Sequence, residues 1–349
     1  MPNSKASRMS DSIITLSNHN QLTMEQILLM WRQEHEEETV QQLVRQYCLE
    51  TTSDDIRKKG MEFLYMNGFY DDLQQLIDKN KSLSNPSNQK WAEVYQLTLD
   101  RKQKRYRDEE ILRRIKTMKT EEPELECLLE FIKVTIYYGR FAYGELGNIL
   151  EKQQQLFDQI RDGYLLKFFR DRLYHNLFVY YLVRNEVIMA RKYAFRVLTR
   201  IANPKTKISL HINLALSYLF DTYDQGMYHL TEARKIARNE DMPHIVNIIE
   251  QHNIPFLSAH FKKVDGVTST DKSEQAHIEI AKGNYARAEA ILQEIEINSP
   301  FKLYYLGMAK QDKRILLQSY SYFIEKRSDY FFSRLPLSAV QRMGGSGTP

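Results

Sequence analysis

Thirteen glycines and nine prolines in 349 residues are about half the usual share of these turn formers. A sandwich or barrel needs a tight turn every ten residues or so, and this chain lacks the residues to build them. Long helices with short connections are what it can form. The periodicity agrees: Leu165, Phe169, Leu173, Leu177 and Tyr181 make an i, i+4 stripe, with Lys167, Arg170 and Arg172 off that line. Punctuation agrees as well. Asn85, Asn203 and Ser299 each precede a proline, and Thr120 stands three residues before Pro123. A capping side chain followed by proline in the first turn satisfies free N–H groups and presets φ for a helix start. One stretch, Ile208, Leu210, Ile212, Leu214 and Leu216, alternates as a strand would. It also carries Ile208, Ile212, Ala215 and Leu219 at helical spacing, and a lone strand would have no partner. It is read as a helix buried on more than one face.

Composition bounds the class. With 42% apolar and 27% charged residues, the chain is too hydrophobic for disorder. No run reaches the roughly 18 apolar residues of a membrane span, since Lys133 interrupts even Leu128 to Tyr138. Met1 to Met9 is polar and has no signal-peptide core. Two cysteines, Cys48 and Cys127, cannot form a disulfide framework. A net charge of +4 names no partner. The expectation is a soluble, cytoplasmic, helical protein with no membrane association.

Roughly eighteen helices are expected, covering more than about 60% of the chain against a norm of about a third. Several turns share one grammar, a small or polar pair followed by an aromatic: Asn67-Gly68-Phe69, Gly139-Arg140-Phe141, Gly283-Asn284-Tyr285 and Ser328-Asp329-Tyr330. In the unit from His277 to Ile295, Gly283, Tyr285, Ala288 and Ala290 fall where a tetratricopeptide-like hairpin wants small residues and one aromatic plug. The fold expected is all-α, a right-handed superhelix of degenerate tetratricopeptide-like hairpins; a single irregular helical domain is the alternative. Residues 1–21 read as a polar lead-in too short for a helix-turn-helix, 22–343 as the repeat domain and 344–349 as a flexible tail. Lys262 to Ser273 reads as a surface loop.

Chemistry-bearing patterns are few. The nine histidines show no metal-ligand spacing; His175, inside an aromatic helical run, reads as a packing residue. Gly139, Gly144 and Gly147 lack the strand and Gly-Lys-Ser/Thr of a phosphate loop. No nucleophile and base can be paired. Neither enzyme activity nor a metal or cofactor is expected. Arg101 to Lys119 holds nine basic residues against three acids, and Arg101, Lys102, Lys104, Arg105 and Arg107 are its candidates for phosphate contacts. The competing reading is a solvated helix face with Ile111, Leu112 and Ile115 turned inward. The 22 tyrosines and 16 phenylalanines serve mainly as inter-helix filler, yet a concave solenoid face also suits an extended peptide.

The closing block Ser328 to Gly344 (SDYFFSRLPLSAVQRMG) is similar to the last repeat of the arbitrium receptor (AimR) family of temperate-phage regulators. Other stretches agree in order: Trp91 to Leu97, Asn185 to Leu198 with Ala190, Arg191 and Tyr193, Tyr218 to Tyr223, Glu274 to His277, and Tyr304 to Lys313. The likeness spans residues 25–343; peptide receptors of the Rap and PlcR type share the architecture. The resemblance implies a receptor for a peptide of about six residues and a DNA-binding module upstream of Thr23, acting as a homodimer. It places the peptide contacts at Lys205, Phe256, Glu274 and Asp329. The sequence departs from the family at three points. Residues 1–21 are too few for the DNA-binding module, so DNA as a partner is left open. The family's clamping asparagines fall on Val179, Val183 and Leu216, and its clamping arginine on Lys205. Gly344, Gly345 and Gly347 interrupt the terminal dimerisation helix. A peptide-responsive regulator is the first reading; the second is a scaffold that binds a protein partner without DNA.

Overall fold

The computed structural model describes residues 22–344. The lead-in 1–21 and residues 345–349 of the expected tail lie outside the described residues. Helices make up most of the described chain, and no strand occurs among the described residues. The stretch expected as one repeat domain divides into two compact units. Of the described residues, the first holds 22–136 together with 149–173, and the second holds 137–148 together with 174–344.

The first unit is built from α1 (Met24–Glu34), α2 (Glu37–Glu50), α3 (Asp54–Asn67), α4 (Tyr70–Lys81), α5 (Pro86–Lys102), α6 (Asp108–Thr117), the body of α7 (Pro123–Gly139), α8 (Leu146–Phe157) and the first half of α9 (Gly163–Val183). Proline-led starts behave as their chemistry dictates. Asn85 Oδ1 accepts the N–H groups of Ser87 and Asn88 at 3.0 and 3.3 Å, opening α5. The core is aromatic: Tyr47, Trp91, Tyr95, Phe131 and Phe169 are buried. At its centre lies a charged pair. Glu62, fully buried, accepts the Tyr95 hydroxyl at 2.5 Å and the Arg172 guanidinium at 3.0 Å. Arg172 in turn lies 4.3 Å from the centre of the Phe131 ring and 4.8 Å from that of Tyr65. Burial raises the Glu62 carboxyl, while Arg172 and Tyr95 oppose that rise. Cys48 and Cys127 are buried free thiols; burial pushes Cys127 up to about 12, so both act as packing residues.

The second unit holds α10 (Val187–Leu198), α11 (Pro204–Ser217), α12 (Tyr223–Asn239), α13 (Pro243–Ile248), α14 (Ile254–His260), α15 (Lys272–Ala281), α16 (Tyr285–Gln293), α17 (Pro300–Lys310), α18 (Lys313–Ser321) and α19 (Arg334–Gly344). The alternating segment is α11, and it buries Ile208, Leu210, His211, Leu214 and Ala215 around much of its circumference. Hairpins close through small residues: a Cβ on Gly307 would stand 2.8 Å from Leu316 Cγ and 3.0 Å from its backbone nitrogen. α17 can therefore approach α18 only with glycine there. α19 includes Gly344, one residue into the segment expected as tail.

The shared turn grammar marks helix ends. Gly68, Gly283 and Ser328 take φ of 87, 83 and 53°, so these positions are left-handed breaks after a helix. The aromatic that follows need not plug a seam. Phe69 lies under Arg45, but Tyr285 and Tyr330 stay substantially exposed. Ala288 is buried, whereas Ala290 faces solvent.

Candidate functional site

Phe256 owes its position to a break in its own helix. α13 passes through a π turn, Ile249–Asn253, into α14. Pro255 has no N–H, so the carbonyl of Gln251, four residues earlier, loses its helical partner. The Ser269 hydroxyl replaces it, donating to Gln251 O at 2.6 Å. This bond also ties down the loop 262–271, where Val264 packs with Ala259 and Ile278. Beyond the break, Phe256 turns into the protein and is buried.

Glu274 stands in the first turn of α15, whose N-cap Asp271 accepts the Glu274 N–H at 3.0 Å. Its Oε1 accepts the Tyr305 hydroxyl at 3.2 Å. Its Oε2 is buried without a hydrogen bond and lies 3.6 Å from His277 Nδ1, one helical turn on. His277 stacks on Tyr305 with ring centres 4.4 Å apart and meets Phe256 at 5.6 Å. Burial first, and the Glu274 charge second, hold the Tyr305 phenol well above its ordinary range.

Asp329 also follows a π turn, Tyr322–Lys326, and a left-handed Ser328. Its carboxylate accepts the Phe332 N–H at 2.9 Å. The next two N–H groups, of Tyr330 and Phe331, both donate to the Val183 carbonyl, at 2.7 and 3.1 Å. Arg334 reaches Asn185 Oδ1 at 3.0 Å. The segment is thereby sealed onto the end of α9. Asp329 is 2% exposed, and burial pushes its carboxyl up to about 6; the Phe332 N–H, Arg327 and the Phe331 N–H oppose that rise.

Three of the four expected contacts therefore gather. Phe256 joins Glu274 through His277, and it joins Asp329 through Phe332, whose ring centre lies 6.3 Å away. Phe301 fills the middle, 5.7 Å from Phe256 and 5.0 Å from Phe332. Lys205 belongs to the same unit but stands exposed in the first turn of α11, where its N–H meets the Asn203 cap at 3.0 Å. No contact joins it to the other three among the described residues. Val179 and Val183 are buried in packing.

Sequence reasoning passed over His277, Tyr305, Phe301 and Phe332. Only the i, i+3 spacing of Glu274 and His277 signalled a shared helix face. It also missed a buried histidine pair: His211 and His229 face each other Nδ1 to Nδ1 at 3.0 Å across the α11–α12 hairpin. The blocks Asn185–Leu198 and Tyr218–Tyr223 meet through one residue. Arg191 lies 3.6 Å from the Tyr218 ring centre and donates to Ser217 and to Asp221 at 2.6 Å.

The basic segment of the first unit is largely committed internally. Arg101 donates to the Thr135 carbonyl at 2.7 Å and Arg105 to Asp100 at 3.2 Å. Lys102 sits 4.5 Å from the Tyr70 ring centre. Lys104 and Arg107 are exposed; of the three residues that the solvated-face reading turns inward, Ile111 and Ile115 are buried and Leu112 is half-buried. No helix of the described chain is long and apolar enough to cross a membrane. No group of three or more candidate metal ligands occurs among the described residues.

Comparison with known proteins places this architecture. The AimR transcriptional regulator of Bacillus phage SPbeta is 23% identical over 320 residues, covering 87% of this chain and 81% of that protein. The AimR transcriptional regulator of Bacillus phage phi3T is 23% identical over 318 residues, covering 87% and 82%. The solved structure described as phAimR-Ligand superposes with a TM-score of 0.75 at 21% identity, covering 93% of this chain and 98% of that one; it has the same fold. A family profile described as AimR transcriptional regulator-like matches residues 40–342, and the chain belongs to that family.

Proposed function

We propose that the protein is an intracellular receptor for a short signalling peptide. The peptide biases the conformation of the helical repeats and so regulates transcription, here the choice between lysis and lysogeny. The observation that carries the reading is the convergence of Phe256, Glu274 and Asp329 in the second unit through His277 and Phe332. Phe256 and Glu274 come from two helices and Asp329 from the connection before α19; together they supply an apolar wall and two carboxylates. Glu274 Oε2 and Asn253 Oδ1, both buried without a hydrogen bond, leave hydrogen-bonding capacity for a ligand. Lys205, exposed on α11, is the cation proposed for the far end of the peptide. A peptide that shifts the repeats must favour one state, with about 1.4 kcal/mol of preference for each tenfold change in population. DNA binding and homodimerisation complete the proposed regulator.

The test is calorimetric titration of the full chain with six-residue peptides encoded by small reading frames beside its gene. One of them binds, and Glu274→Gln or Phe256→Ala weakens it at least tenfold. If no such peptide binds, or if both variants bind as the parent does, the receptor reading fails. A second reading, a scaffold for a protein partner, is favoured by the Asp329 carboxylate and the Val183 carbonyl being already engaged by backbone N–H groups.

A further inference from the structure

Lys262, Lys282, Lys313 and Arg342 line one cavity of about 760 Å³ in the second unit, and no Asp or Glu contributes to its wall. They arrive from four places: just past α14, the end of α15, the first residue of α18 and the last turn of α19. Such a cluster is invisible in the sequence. Among the described residues, Lys262, Lys313 and Arg342 make no salt bridge; only Lys282 has a carboxylate, Glu279 at 3.1 Å. Arg342 is oriented by neutral oxygens, donating from Nε to the Ser338 carbonyl at 3.3 Å and bonding the Tyr304 hydroxyl.

Several cations elsewhere in this unit are neutralised by a carboxylate. Arg191 meets Asp221 and Arg238 meets Glu250, each at 2.6 Å. The first unit's cavity of about 970 Å³ is also lined by lysines, but Glu121, Glu122, Glu126 and Glu130 share its wall, and Glu130 reaches both Lys133 and Lys152 at 2.9 Å. Three unpaired cations around a concave wall focus a positive potential there, because the low-dielectric wall screens poorly. His277, 4% exposed, lies in the same wall, with its Nδ1 turned to Glu274 Oε2 at 3.6 Å. His260 beside it is held down to about 4 by burial, with His277 and Arg342 adding to the effect. An anion in the cavity relieves the mutual repulsion of Lys262, Lys313 and Arg342.

We propose that this cavity binds a small polyphosphate anion, with Lys262, Lys313 and Arg342 as its charge contacts. The volume falls within the range of small-molecule sites, about 300–1,000 Å³. Lysines act as point charges that suit a multiply charged phosphate, and the Arg342 fork is already partly engaged, which disfavours bidentate capture of a lone carboxylate. Tyr285, which is part-exposed, and Met308 offer an apolar flank for a base or sugar.

The experiment is calorimetry of the full chain at low salt with tripolyphosphate, ATP and adenosine. The variant carries Lys262→Glu and Lys313→Glu. Both side chains are exposed, and an acid in the first turn of α18 suits the helix dipole, so folding is preserved. A control with Lys192→Glu and Lys235→Glu, also exposed, makes the same change in net charge. Tripolyphosphate and ATP bind the parent and the control alike, and the cavity variant binds at least tenfold more weakly. The proposal is overturned if tripolyphosphate does not bind, if the control weakens equally, or if adenosine binds as well as ATP. Tighter binding of an acidic peptide such as hexaglutamate than of tripolyphosphate would also overturn it.

Discussion

Replacing Asp329 by asparagine removes a buried charge while leaving its capping role in place. The carboxylate is 2% exposed and sits at about 6 rather than its ordinary 3.8, with burial as the leading cause. For a carboxyl raised on folding, the sign is fixed. Well below 3.8 it is protonated in both states, and it has no effect on stability. As pH rises from 4 to 6, the unfolded chain ionises first and the native state loses ground. The loss is complete only well above 6, where both states are ionised. The gap between about 6 and 3.8 corresponds to roughly 3 kcal/mol at neutral pH, of which roughly 2 kcal/mol develops between pH 4.5 and 7.5. The asparagine side chain would still present an Oδ1 to the Phe332 N–H, so the cap, worth about 1 kcal/mol, is largely kept. Urea unfolding of parent and Asp329→Asn at both pH values measures this. The parent should lose about 2 kcal/mol more than the variant on going from pH 4.5 to 7.5, and the variant should be the more stable protein at pH 7.5. Parallel pH dependence in the two proteins would refute the argument that Asp329 is held in an unfavourable, desolvated place. A residue kept there against stability is what a ligand-contacting carboxylate should look like.

Two further predictions test the packing. Arg172→Met strands the buried Glu62 carboxylate and should lower stability by about 3–5 kcal/mol, whereas Glu62→Leu with Arg172→Met recovers most of that loss in thermal unfolding; equal loss in both would contradict the pairing. Gly307→Ala drives a methyl against the Leu316 backbone nitrogen at 3.0 Å and should cost about 1–3 kcal/mol in urea unfolding, while a neutral result would show that α17 and α18 can separate freely.

The sequence by itself determined the class of fold. Scarce turn formers, Asn-Pro and Ser-Pro helix starts and i, i+4 stripes are local signals, read within one or two turns of the chain, and the caps of Asn85, Asn203 and Ser299 formed as written. The closing block from Ser328 to Gly344 was enough to point to the family. Tertiary structure decided what depends on which helices meet. It divided the described chain into two units, drew Arg101 and Arg105 into internal bonds, and left Tyr285 exposed where an inter-helix plug was expected. It made His277 the link between Phe256 and Glu274, and it set His211 against His229. It also brought Lys262, Lys282, Lys313 and Arg342 to one cavity. Helical periodicity says which face of a helix is apolar but not which neighbour it meets. Contacts between residues far apart in the chain are fixed by how successive hairpins stack, and that information lies in packing rather than in any local run of residues.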